Sequence, residues 1–287
     1  MRIAVLSGKG GTGKTLISVN LAATAGAGTY VDCDVEGPNG HLYFKPENSL
    51  NEPVSRSLPR VDPVLCKGCR ACVDFCRFHA LAFAGSKLFV FDEVCHSCGG
   101  CAMVCPEKAI KKENMPIGEM RIGISEKVSV ISGFLNIGEA SGIPIIKRIL
   151  DATIGSEGDT FIDCPPGSAC TVMESIKEAD YCVLAAEPSV FGAHNLRMVH
   201  ELVQVFDKPF GVVLNKCGEG ANPSEEYCMY KGIRILCRIP YDPDLGRIHS
   251  EARIAVRDNE NYRVLFTDLL KTIRREACHE AASDFKR

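Results

Sequence analysis

The stretch RIAVLSGKGGTGKTLISVNLAA, residues 2–23, restricts the folds open to this chain more than any other segment. Residues 3–6 read as a strand, residues 15–25 as a helix and residues 29–33 as a second strand, with a glycine-rich loop at the first junction. In that loop Gly8, Lys9, Gly10, Gly11, Thr12, Gly13, Lys14 and Thr15 satisfy the pattern G-x-x-x-x-G-K-[ST], in the strand-to-helix setting the pattern requires. Glycines are needed there because backbone N–H groups must turn inward around phosphate oxygens, while the following helix aims its positive end at the same point. Lys14 is expected to reach the β- and γ-phosphates, and the Thr15 hydroxyl to coordinate Mg²⁺.

The strand and helix alternation resumes later in the chain. VSVIS (residues 128–132), DTFID (159–163), YCVLAA (181–186), FGVVLNK (210–216) and IRILCRIP (233–240) are strand-like, and residues 142–152 are helix-like. Apolar runs this continuous are covered on both faces. The expected fold is α/β: a P-loop NTPase with a mostly parallel sheet and helices on both faces. Ligands then belong in the crevice at the carboxyl ends of the strands.

Between the two α/β parts lies a segment of different character, and it holds half of the cysteines. Of 16 in the chain, eight fall in CKGCRACVDFCRFHAL (residues 66–81) and CHSCGGCAMVCPEKAI (residues 95–110), which align without gaps at an offset of 29. Each run has the C-x2-C-x2-C-x3-C spacing of two-cluster bacterial ferredoxins, in which the fourth cysteine serves the other cluster. By that rule Cys66, Cys69, Cys72 and Cys105 bind one 4Fe–4S cluster, and Cys95, Cys98, Cys101 and Cys76 bind the second. Zinc ribbons use two C-x2-C pairs and four thiols in all, so zinc is the weaker match. The second run ends Cys105-Pro106, as the pattern expects, whereas the first ends Cys76-Arg77 and places a cation at the cage.

A hairpin is expected in LAFAGSKLFVF (residues 81–91), pivoting on Gly85 and Ser86. The expected division is therefore residues 1–51 and 116–287 as the α/β domain, with residues 52–115 as an inserted small α+β ferredoxin-like domain. With seven basic and six acidic residues from Asp62 to Glu113, the insert has no strong docking field. The other eight cysteines read as small buried hydrophobes, with an extra metal ligand as the alternative at Cys170. A chain so rich in thiols suits an anaerobic cell.

The second lysine of KGGTGKT gives a resemblance to the deviant P-loop ATPases related to MinD, ParA, Mrp and the nitrogenase iron protein. It covers nearly all of the chain outside the insert. The resemblance implies an ATPase using ATP and Mg²⁺, in which Lys9 reaches across a homodimer to the partner's phosphates. VDCDVEGPN (residues 31–39) is similar to the family's acidic loop, which implies Asp34 as the residue orienting the attacking water and Asp32 as a Mg²⁺-side carboxylate. In FIDCPPG (residues 161–167) the strand-end carboxylate Asp163 sits where a metal-side acid belongs, and Pro165-Pro166-Gly167 is similar to the family's second switch. VLNK and IPYD resemble the segments framing the base, which implies adenine-side contacts at Asn215 and Pro240. Glu187, Pro188 and Gly192 also stand in family positions, without a mechanism attached.

The implied function is ATP-driven closure of a dimer coupled to electron transfer through two 4Fe–4S clusters, toward an unknown redox partner. One alternative is an iron–sulfur assembly or carrier ATPase that gives its cluster to an acceptor protein, although no C-x2-C lies outside the two runs. A second is a redox-sensing MinD-like positioning switch. A glutamine-dependent amidoligase is not expected, since these residues leave no room for a glutaminase domain.

A formal charge of -3 gives no polybasic signature, so no nucleic-acid partner is expected. No apolar run approaches the ~18 residues of a spanning helix, and Met1 leads straight into a strand without a leader, so a cytoplasmic protein is expected. Leu265, Leu269, Ile273 and Ala277 form an apolar helix face, expected to dock on the chain's own sheet rather than on a membrane.

Overall fold

The first strand shows why the chain builds a sheet buried on two sides. In β1 (Arg2–Leu6), Ile3 and Val5 enter one apolar layer while Ala4 and Leu6 enter the other, and all four are buried. Side chains alternate across a strand, so a run apolar at every position needs cover above and below. A computed structural model describes residues 1–284.

The elements that follow are α1 (Lys14–Ala25), β2 (Gly28–Asp32), α2 (Gly40–Phe44), β3 (Glu47–Val61), α3 (Ala71–Phe75), β4 (Leu81–Ala84), β5 (Lys87–Val90) and α4 (Gly100–Met103). Next come β6 (Ile110–Ser125), β7 (Val128–Leu135), α5 (Ile143–Asp151), β8 (Asp159–Asp163), α6 (Cys170–Ile176), β9 (Tyr181–Ala186) and α7 (Val190–Val205). The last are β10 (Phe210–Cys217), α8 (Pro223–Lys231), β11 (Ile235–Pro240), α9 (Pro243–Ser250), α10 (Ala255–Asp258) and α11 (Glu260–Asp284).

Among the described residues, nine strands form one sheet in the order β11-β10-β9-β1-β8-β2-β7-β6-β3. The strands from β11 to β7 are parallel, and β6 and β3 extend the sheet antiparallel. Apolar residues of α5, α6, α7 and α8 fill the layer on one face, and those of α1, α9, α10 and α11 the other. Leu269 and Ile273 of α11 are buried there with Leu265 and Ala277 packed beside them, so that face is spent on the chain's own core. No helix among the described residues is long and apolar enough to cross a membrane.

The α/β elements fall where the sequence places them, but residues 52–115 do not form a unit separate from the sheet at their two ends. β3 and β6 pair continuously from Val54 and Gly118 out to Val61 and Ile110, apart from one register shift beside Ser55. Pro53 and Pro59 make β3 look broken in the sequence, yet a proline costs little on an edge strand whose outer N–H groups need no partner. The cysteine runs are thus carried at the end of a two-stranded stem rooted in the main sheet.

Beyond the stem, Leu81, Leu88, Ile110, Cys72 and Cys101 form a small separate core, and β4 and β5 pair as the expected hairpin. The internal repeat is visible in the backbone: left-handed residues occur at Gly68 and Ser97, Arg70 and Gly99, His79 and Lys108, each pair separated by the same 29 positions.

The scattered cysteines divide. Cys33, Cys164, Cys182 and Cys228 are buried and Cys217 and Cys237 are half-buried, but Cys170 and Cys278 are exposed. The buried-hydrophobe reading fails for those two. Cys170 opens α6 where the chain leaves the sheet, and Cys278 lies far along α11, past the residues that dock it.

Candidate nucleotide site and cysteine cages

β1 delivers the chain into residues 7–13 at the carboxyl edge of the sheet, and α1 starts at Lys14 with its positive end facing the loop. Gly13 adopts φ 107°, and a Cβ there would lie 2.2 Å from Asn215 Nδ2, so both backbone and space demand glycine. Asn215, at the end of β10, donates to the Thr12 carbonyl at 2.8 Å and accepts from Lys216 N at 3.0 Å. Lys216 Nζ donates to the Gly11 carbonyl at 2.8 Å. One strand end therefore braces the loop from outside. The Asn215 amide thus holds the loop, and the same residue lines the cavity beside it. Lys14 is buried, with Nζ 3.3 Å from Ser7 Oγ.

Two carboxyl groups stand side by side at neighbouring strand ends. Asp32 ends β2 and Asp163 ends β8, directly opposite each other in register, and both are buried. Asp32 accepts three backbone N–H groups, from Asp34 at 3.1 Å, Asn39 at 2.9 Å and Gly40 at 2.8 Å, and so shapes the loop that carries Asp34. Asp163 Oδ2 accepts from the Tyr30 hydroxyl at 3.0 Å, while its buried Oδ1 has no hydrogen-bond partner. Burial and mutual repulsion push the pair above the usual carboxylate range, opposed at Asp163 by the Thr15 hydroxyl and the Lys14 charge. A bare carboxylate oxygen beside Thr15 fits a divalent cation, and Asp163 has more acceptor capacity free for that task than Asp32, which already takes three backbone N–H groups.

A cavity of about 360 Å³ opens at the loop, lined by Gly10, Gly11, Gly13, Lys14, Thr15, Asp34, Asn215 and Pro240, together with Tyr241 and His249. Burial raises the Asp34 carboxyl, opposed by Lys14. Residues 165–167 lie against the loop, where Gly167 N donates to the Ser7 carbonyl at 3.0 Å. Lys9 forms an ion pair with Glu187 of its own chain, and Lys216 Nζ stands 3.8 Å from the same carboxylate. Burial, the largest single influence, would raise Glu187, but Lys9, Ser189 and Lys216 together hold the carboxyl below its ordinary range. Tyr30, Lys216 and the role of Glu187 escape the sequence reading. The only signals are that Glu187 stands in a noted stretch and Lys216 follows Asn215.

The cysteines occupy two cavities. One of about 230 Å³ is lined by Cys76, Cys95, Cys98 and Cys101, together with Arg77. A tighter one of about 20 Å³ is lined by Cys66, Cys69, Cys72 and Cys105. Each takes three thiols from one run and its fourth from the other. Backbone N–H groups point at sulfur in both, Ser97 N to Cys95 Sγ at 3.4 Å and Ala109 N to Cys105 Sγ at 3.3 Å. Burial raises the Cys72 and Cys101 thiols, and neighbouring cysteines of each cage add to it. Among the described residues no three His, Cys, Asp or Glu side chains form a group that could hold a metal ion, so each set shares a cavity without converging on one point. The all-thiol donor sets fit iron and sulfur in kind, and the narrow cavity requires its side chains to open before it could take a cluster.

The strand, glycine loop and strand-end carboxylates define a nucleotide-binding P-loop α/β domain. The chain belongs to the CobQ/CobB/MinD/ParA nucleotide-binding domain family, whose model matches residues 3–255. An uncharacterized protein of Methanocaldococcus jannaschii, MJ0578, is 30% identical over 253 residues, covering 86% of this chain and 87% of the relative. In fold the chain is similar to the septum site-determining protein MinD of Pyrococcus horikoshii, solved with Mg-ADP, at TM-score 0.59 and 18% identity over 94% of this chain and 93% of that one. It is also similar to the cell division ATPase MinD of Pyrococcus furiosus, at TM-score 0.58 and 21% identity over 96% and 98%.

Proposed function

We propose that this protein binds and hydrolyses ATP and couples closure around the nucleotide to electron transfer through two 4Fe–4S clusters. The observation that carries the proposal is the partition of the eight cysteines, three from one run and one from the other in each cavity. That division follows the ligand rule of two-cluster ferredoxins. When bound, the clusters supply one-electron storage.

The chain's own residues do the rest. The loop N–H groups and Lys14 hold the phosphates. Thr15 and the free Asp163 Oδ1 would hold Mg²⁺, which neutralises phosphate charge. Asp34 orients the attacking water, and Lys9 leaves Glu187 to reach the phosphates of a second protomer.

Protein purified without oxygen is expected to contain about eight irons per chain, keep them through many ATP turnovers, and hydrolyse ATP at rates that differ between oxidised and reduced states. Iron far below that content, or identical rates in both states, would refute the coupling. Passage of iron to an acceptor protein would favour the carrier reading.

A further inference from the structure

We infer that Arg56 is a positioning residue that transmits movement of the Asp34 loop to the cage containing Cys95, an inference that rests on reading that loop as a nucleotide switch and that cage as a cluster site. Arg56 lies on β3 with its side chain only 10% exposed. Its Nη1 donates to the Cys95 carbonyl at 3.2 Å, and its Nη2 pairs with Glu139 Oε2 at 3.1 Å. The Nε hydrogen is buried without an acceptor. A buried guanidinium with a free N–H has bonding capacity to exchange, which suits a joint that rearranges better than one that is fixed.

Glu139 belongs to the loop of residues 136–142 after β7, and that loop is fastened to the residue following Asp34. Leu135 N donates to the Val35 carbonyl at 2.9 Å. The buried Val35 side chain is seated where a Cβ at Gly142 would lie 2.3 Å from its Cγ2 and a Cβ at Gly133 2.7 Å from its Cγ1. So close a seat leaves Val35 no room to move without the 136–142 loop. A displacement of Asp34 toward or away from a nucleotide therefore pulls on Glu139, and Arg56 converts that pull into a shift of the Cys95 backbone. β3 supplies the fixed point, since its pairing with β6 continues on both sides of Arg56, from Ser55 with Pro116 to Ser57 with Asn114 and beyond.

Hydrogen exchange on the full anaerobic protein, with and without a non-hydrolysable ATP analogue and Mg²⁺, tests this. In the unaltered chain, exchange across residues 95–103 is expected to slow about fivefold or more on nucleotide binding, the low end of coupling between distinct sites. In Arg56→Gln that difference is expected to vanish while residues 7–15 still slow. Glu139→Gln, which leaves the cage untouched, should lose the same difference and stands alone if Arg56→Gln does not fold. A nucleotide-dependent difference retained in the variants, or missing from the unaltered chain, overturns the inference. Iron content measured on the same samples judges the cluster reading separately, because the exchange comparison does not depend on it.

Discussion

Asp32 and Asp163 are the residues at which pH and ligand meet. A carboxyl raised by burial and repulsion keeps a proton in the folded chain that the unfolded chain has already released. The ligand-free protein should therefore lose stability as pH rises from the ordinary carboxylate range through the raised values of the pair. Mg²⁺ competes with that proton, so thermal stabilisation by Mg²⁺ and nucleotide should grow over the same range. Asp163→Asn should flatten both trends in unfolding scans between about pH 5 and pH 8. At Lys14, replacement by alanine removes a buried charged donor aimed at the phosphates, and hydrolysis is expected to fall by about 100-fold or more, with the far-UV circular dichroism unchanged.

Among the elements, the parallel strands and α1 were legible because their signals are local: unbroken apolar runs and a glycine loop between them. β3 and β6 were not. The polar sequence and two prolines of β3 argue against a strand, and only its place at the sheet edge makes them harmless. α11 shows a second kind of ambiguity, since an apolar stripe cannot say what it will cover. Here it covers the sheet, so Ile273→Ala should cost about 2–5 kcal/mol in urea unfolding. The intact protein should not float with liposomes when ATP is added.

For the molecule as a whole, the loop and the division of cysteines between cavities could be read from spacing, and Asp32 from the resemblance of its loop to a known family. The bracing of Gly11 by Lys216 and the pairing of Lys9 with Glu187 could not, because they join residues more than 170 positions apart. The Lys9 pair has a consequence for assembly. Under the proposed dimer Lys9 leaves Glu187 for another protomer, so Glu187→Gln is expected to raise the fraction of dimer formed with ATP in analytical ultracentrifugation. Asp34→Ala should hold that dimer together by blocking hydrolysis.

The exchange of one cysteine between the two halves of the repeat interlocks the cages like crossed laces. Damage at Cys76 opens the cage built mainly from the other run, and damage at Cys105 does the reverse. Under the proposed loading the module should fill and empty as a unit, and half-filled molecules should be scarce even when iron is limiting.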